Sequence, residues 1–214
     1  MKEITKEQKK SSVLKWILLF ITIVIFVSIA EEVYDKEIMA ADVIGYNLIS
    51  KYLISDFVTP IAKIITQLGG AIVLLTITLI LLIVLKNKKI GLSIASNLAI
   101  STGLNIILKN IVQRPRPIEF RMINESGYSF PSGHSMVSMA FYGYLIYLIY
   151  KHIKNKKIKW SLITILSIII LMIGISRIYL GVHYTSDVLA GFVISLSYLI
   201  IYTSIIKRFI KVEK

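Results

Sequence analysis

The sequence predicts an all-α integral membrane protein with six transmembrane helices and both termini in the cytoplasm. Three observations predict it. The 214 residues are 56% hydrophobic, and the apolar residues gather in six long runs with no strand-like alternation. Apolar runs of about 18 or more residues read as membrane spans, because lipid forces a backbone to satisfy its own hydrogen bonds. Basic residues crowd every second connection between the runs, which sets orientation by the positive-inside rule.

The runs follow in order. Residues 1–15 are polar and lysine-rich (Lys2, Lys6, Lys9, Lys10, Lys15), and the first run is Val13–Ala30. Ser28-Ile29-Ala30 resembles a small-residue cleavage site, so a signal peptide is the alternative to a retained first helix. Cleavage would leave the sides of all later segments unchanged. Residues 31–56 open with Glu31, Glu32, Asp35, Glu37 and Asp42, then interleave apolar and polar residues. This segment reads equally as a short interfacial helix between helices one and two or as a packed extracellular loop. The second run is Phe57–Leu85, with Gly69-Gly70 as a close-packing point or kink. The third is Ile90–Leu108, ended by Arg114-Pro115-Arg116-Pro117, which cannot continue a helix. The fourth starts near Ser132 and ends at Tyr150; the fifth is Trp160–Ile175; the sixth spans Ser186–Ile206.

With the N-terminus inside and sides alternating, 17 of the 25 basic residues fall in cytoplasmic segments. These are the N-terminal lysines, Lys86–Lys89, Lys151–Lys159 and Lys207–Lys214. Trp16 and Trp160 fall at cytoplasmic ends of runs, where amphipathic rings favour the interface. The net charge of +13 is therefore mostly topology. Nucleic acid is excluded as a partner, because no basic patch is interleaved with aromatics. With no cysteine there is no disulfide framework, thiol nucleophile or cysteine metal site. The whole chain, 1–214, reads as one domain, and nothing in it sets an oligomeric state.

Lys109, Arg114, Arg116, Arg121 and Arg177 sit at outer ends of runs or in the loop after run three, where the topology rule disfavours them. They need another reason. Three polar clusters share that outer side: Lys109–Pro117, Pro131–His134 and Ser176–Asp187. The 49 residues between His134 and His183 suit one trip across the membrane and back. Lys109, Arg116 and Arg177 would repel one another unless they share an anion, and a guanidinium fork suits phosphate oxygens. Ser132 is placed to cap the fourth helix, and Gly133 and His134 behind it offer backbone N–H groups at a positive helix end.

Two histidines supply what a covalent double displacement requires. His183 would attack phosphorus as neutral imidazole, with Asp187 one helical turn on to hold its other nitrogen. His134 would protonate the leaving oxygen and then activate water. The residues alone leave the reverse assignment open; the nearby aspartate favours His183 as nucleophile. No metal or other cofactor is required, because the clusters hold one carboxylate, too few for a magnesium or two-metal site.

Lys109-x6-Arg116-Pro117, Pro131-Ser132-Gly133-His134 and Ser176-Arg177-x5-His183-x3-Asp187 resemble the three signature motifs of the type 2 phosphatidic acid phosphatase family, which shares its site with bacterial acid phosphatases and vanadium haloperoxidases. All eleven fixed positions match, between residues 109 and 187. The resemblance implies a phosphohistidine intermediate, His183 as nucleophile, His134 as acid, and metal-independent hydrolysis of lipid phosphates such as phosphatidylglycerophosphate, undecaprenyl pyrophosphate or phosphatidic acid. The expected partners are a lipid phosphate and the bilayer of the cell membrane, with the site on the extracytoplasmic face.

Simpler roles stand beside these. Lys109 also reads as a lysine snorkelling to the interface, and Asp187 as a helix cap. Arg114 and Arg121 read as solvated rim charges, or as ligands for a second phosphate. His152 reads as solvated, and Tyr142, Tyr144, Tyr147 and Tyr150 as packing residues. The rival function is a phospholipid or anion transporter that keeps a non-catalytic phosphate site. A haloperoxidase-like enzyme holding vanadate is a second rival, disfavoured by the six membrane helices.

Overall fold

The computed structural model describes residues 6–35 and 38–210. Lys2, Lys211 and Lys214, used above to set sidedness, and Glu37 of segment 31–56 lie outside the described residues. The described residues form α-helices joined by loops: α1 (Lys6–Tyr34), α2 (Ala40–Tyr52), α3 (Val58–Gln67), α4 (Ala71–Val84), α5 (Lys88–Val112), α6 (Gly133–His152), α7 (Lys156–Tyr179) and α8 (Thr185–Ile206). The first run continues as helix through Ser28-Ile29-Ala30 to Tyr34. Segment 31–56 contains a helix, α2.

Helices α1, α5, α7 and α8 are long and apolar enough to cross a membrane. The run expected at Phe57–Leu85 is a pair, α3 and α4, bent by 48° and together passing as a fifth span. The bend falls at Leu68-Gly69-Gly70. It frees the Leu68 carbonyl, which would cost several kcal/mol if left bare in lipid; the Tyr142 hydroxyl donates to it at 2.8 Å. A Cβ on Gly69 would stand 2.7 Å from Ile173 Cγ2 of α7, so glycine permits this close approach.

The expected fourth run is α6, and it falls short of the apolarity of the others. The reason is its place. α6 packs against α5, α7 and α8 together, while α1 lies on α8, α4 on α5 and α3 on α7. A helix enclosed by protein can carry polar groups if partners meet them. Ser135, Ser138, Tyr142 and Tyr144 of α6 are buried. Tyr144 donates to Ser93 Oγ of α5 at 2.7 Å, and Ser195 of α8 donates to the Met136 carbonyl at 2.7 Å. The outer helices instead expose their apolar residues, among them Phe20, Ile72, Leu79, Ile83 and Leu171.

Local chemistry sets the helix ends. Asn87 and Asn155 cap α5 and α7, accepting from the N–H groups of Lys89 and Ile158. Lys88 donates to the last carbonyls of α4, at Leu82 and Ile83. At the far end of α5, Gln113 takes the left-handed conformation (φ 52°) and turns the chain inward.

Candidate active site

The loop 113–132, the start of α6, the α7–α8 turn and the start of α8 meet at one end of the bundle. Lys109, in the last turn of α5, does not snorkel outward. Its Nζ donates to the carbonyls of Tyr128 (2.5 Å) and Ser129 (3.2 Å), and its stem lies against Gly133. Ser132 is the N-cap of α6, accepting from the Ser135 N–H, while its own N–H donates to the Asp187 carbonyl at 3.0 Å. That bond ties the start of α6 to the start of α8. A Cβ on Gly133 would stand 2.9 Å from Asn105 Oδ1, so α5 itself requires glycine there. Gly181 has φ +67°, a conformation that strains other residues, and a Cβ on it would collide with the Phe120 carbonyl. This turn swings the chain from α7 into His183.

His183 is buried, and both ring nitrogens are engaged. Nδ1 faces Asp187 Oδ2 at 3.3 Å, and Nε2 faces Arg116 Nη1 at 3.0 Å. A guanidinium can only donate, so the hydrogen-bond pattern assigns the lone pair to Nε2 and the proton to Nδ1. Burial, and then the Arg177, Arg116 and Lys109 charges, hold the imidazole's pKa well below the ordinary histidine value. The ring is therefore neutral at physiological pH, with its Nε2 lone pair turned to the cations. Asp187 both caps and orients: its Oδ2 also accepts the Tyr184 N–H at 2.9 Å.

The cations converge from three segments. Arg116 is pinned by the carbonyls of Ser126, Gly127 and Val182, each at 3.0 Å. Arg177 is almost wholly buried. It donates to Thr66 Oγ1 (2.8 Å) and to Glu125 Oε1 (2.6 Å), while its Nε has no partner among the described residues. A buried donor left bare costs about 1–3 kcal/mol, so a ligand oxygen is favoured there. His134, on the first turn of α6, lines with Gly133 one end of a cavity of about 670 Å3. The cavity lies between α4 and α5 and is otherwise mostly apolar, walled by Leu74, Leu75, Leu79, Leu98, Ile106 and Val137, with Thr78 and Thr102 also lining it. Leu75, Leu79 and Ile106 are also exposed on the outside of the bundle, so the cavity borders the helix surface.

One position differs from the sequence reading. Arg114 is not a rim charge; it is buried behind His183. Its Nη1 donates to Asp187 Oδ1 (2.7 Å), its Nη2 to Asp42 Oδ2 (2.8 Å), and its guanidinium lies over the Tyr184 ring. Burial works against its charge, but Asp187 and Asp42 more than offset that. Left-handed Gln113 turns Arg114 inward, which a linear motif does not reveal. Arg121 is exposed and donates to the Pro117 carbonyl. The sequence reading also missed three residues: Glu125, Thr66 and Asp42. Glu125 had a partial signal, being one of two acids, with Glu119, in a loop that carries three arginines. Its Oε2 stands 4.0 Å from Arg116 Nη2. Burial alone would raise its pKa, but the Arg177 charge and hydrogen bond, with the His134 and Arg116 charges, together hold it below the usual value.

Membrane-length helices and a histidine–aspartate pair set among buried cations define an all-α membrane protein with an anion-ready histidine site. Residues 90–211, more than half of the chain, match the PAP2 superfamily, and the chain belongs to that superfamily. It is 42% identical over 97 residues to phosphatidylglycerophosphatase B of Bacillus subtilis (strain 168), a match covering 44% of this chain and 46% of that protein. The chain thus spans about half the length of that relative. It is 26% identical over 191 residues to undecaprenyl-diphosphatase of Sulfolobus acidocaldarius, with 84% of each chain covered. Among solved structures it resembles a transmembrane PAP2 type phosphatidylglycerolphosphate phosphatase from Bacillus subtilis. The TM-score is 0.79 and the identity 26%, over 91% of this chain and 98% of that one.

Proposed function

We propose that the chain is a metal-independent lipid phosphatase that cleaves a lipid phosphate or diphosphate through a phosphohistidine on His183. The observation that carries this is the pair of contacts on His183, Nδ1 to Asp187 Oδ2 at 3.3 Å and Nε2 to Arg116 Nη1 at 3.0 Å, which assign the proton to Nδ1 and the lone pair to Nε2 beside an Arg177 Nε with no partner among the described residues. In the first half, Arg116, Arg177 and Lys109 hold the phosphoryl oxygens, and the N–H groups at the start of α6 add to the cradle. The Nε2 lone pair attacks phosphorus in line, and the bond to the leaving oxygen breaks as His134 gives that oxygen a proton. Asp187 offsets the positive charge that builds on the His183 ring. In the second half, His134 takes a proton from water, the water oxygen attacks phosphorus, and the P–N bond breaks. Inorganic phosphate leaves, and both histidines return to their starting states.

The apolar cavity beside His134 supports a lipid substrate whose tails stay among the helices while the head group meets the cations. Tail binding then positions the phosphate, and positioning carries much of phosphoryl transfer. The names of the relatives favour phosphatidylglycerophosphate or undecaprenyl diphosphate as substrate, and the motif resemblance adds phosphatidic acid.

The reading includes the topology. α1, the α3–α4 pair, α5, α6, α7 and α8 make six crossings, with both termini cytoplasmic and the site on the extracytoplasmic side of the cell membrane. Exposed Ile44, Leu48 and Tyr52 suit α2 to the interface. Residues 1–214 act as one unit around the core 109–187.

The test is trapping of the covalent intermediate. Wild-type protein quenched after mixing with 32P-labelled phosphatidic acid should carry an acid-labile, base-stable label that His183→Ala lacks. Label or turnover at the wild-type level in His183→Ala would refute the assignment.

A further inference from the structure

Asp42 lies in α2, outside the residues that match the superfamily. It is nevertheless buried, with its side chain 1% exposed. Its Oδ1 accepts the Ser186 N–H of α8 at 2.7 Å. Its Oδ2 accepts from Arg114 Nη2 at 2.8 Å and from its own helix's Met39 N–H at 3.2 Å. Asp42 and Asp187 thus occupy the same position, third in their helices, and each accepts the N–H of the residue before its helix. The two helix starts share one guanidinium. Arg114 Nη1 donates to Asp187 Oδ1 at 2.7 Å and to Ser186 Oγ at 2.8 Å.

We propose that Asp42 is a positioning residue for the His183–Asp187 pair and makes α2 part of the catalytic unit. The proposal rests on His183 being the nucleophile. Charge and geometry support it together. Asp187 is the carboxylate that must answer the charge forming on His183, yet Arg114 pairs with it directly and the Lys109 and Arg116 charges act on it. Asp42 neutralises Arg114 from the far side, so Arg114 orients Asp187 without cancelling its charge. It also fixes the first turn of α8 by accepting the Ser186 N–H, and so the direction in which Asp187 presents Oδ2 to Nδ1. A bidentate guanidinium between two buried carboxylates has little freedom, and the imidazole at the end of the chain inherits that rigidity.

The experiment compares wild type, Asp42→Asn, Arg114→Gln, the double variant and His183→Ala, in detergent with dioctanoyl phosphatidic acid. Monodispersity and thermal melts report folding. Asp42→Asn should lower kcat by about ten- to hundredfold, the range that outer partners of a working imidazole command, while KM stays within about twofold. Because both residues meet at Asp187 and share one contact, the double variant should lose clearly less than the product of the two single losses. A wild-type kcat in folded Asp42→Asn, a loss confined to KM, or losses that multiply would each overturn the proposal. If Asp42→Asn does not fold, Asp42→Glu takes its place: it keeps the charge but displaces it by one methylene. A reduced kcat with unchanged KM is expected there, and a wild-type kcat overturns the proposal. Activity in His183→Ala would instead show that the nucleophile assignment had failed.

Discussion

Glu125→Gln should tighten the binding of inorganic phosphate. The Glu125 carboxylate occupies donors that a phosphoryl group needs, at 2.6 Å from Arg177 Nη2 and 4.0 Å from Arg116 Nη2. An entering phosphate must displace it from Arg177. A hydrogen bond between charged groups contributes about 1.5–3 kcal/mol when well buried. The Glu125 side chain is 27% exposed, so solvent screening draws its pair with Arg177 towards the surface range of about 0.2–1 kcal/mol. Taking about 1 kcal/mol as the cost of displacement, its removal should strengthen phosphate binding about fivefold. The assay is competitive inhibition of lipid hydrolysis by orthophosphate at fixed ionic strength. An inhibition constant equal to or weaker than wild type would refute the reasoning, because Glu125 would then be no competitor for the site. The pair also has a pH signature. The folded pKa of Glu125 lies below its ordinary 4.5. Its stabilising contribution is therefore present above pH 4.5 and lost as pH falls through the lower folded value. In that acid range the melting difference between wild type and Glu125→Gln should vanish.

Three further predictions follow from the same geometry. Asp187→Asn should cut kcat by about a thousandfold or more, since the amide can donate to Nδ1 and move the ring proton onto Nε2; phosphate release measures it. Gly181→Ala should destabilise the fold by at least about 1 kcal/mol, because φ +67° strains a side chain and the Phe120 carbonyl occupies its space; a lower thermal melt checks it. Arg121→Ala should leave kcat and KM within about twofold of wild type, as expected of an exposed side chain that donates to the Pro117 carbonyl.

The helical class of the chain was readable because lipid leaves few choices, and apolar runs of the right length imply helices. α6 shows the limit of that signal. Its seryl and tyrosyl groups lower its apolarity, and only the enclosing α5, α7 and α8 explain why it tolerates them. The bend between α3 and α4 was marked by Gly69-Gly70, but the angle and the Tyr142 hydroxyl that meets Leu68 are tertiary facts. In the site, the residues of the three clusters were readable because each cluster carries its chemistry within a few positions. Arg114 was misread because its direction depends on the left-handed turn at Gln113. Asp42 and Thr66 were unreadable for a different reason: each meets the site from a helix more than 40 residues before the nearest cluster. Glu125 sits between two clusters, and its partner Arg177 comes from the far end of α7.

The most direct test of the central claim is phosphate release in detergent with EDTA present, comparing wild type with His183→Ala on phosphatidylglycerophosphate, phosphatidic acid and undecaprenyl diphosphate. The account predicts turnover of at least one of these lipids by wild type, undiminished by EDTA and abolished in His183→Ala. Equal release by the two proteins, or no release by folded wild-type protein from any of the three, would contradict it.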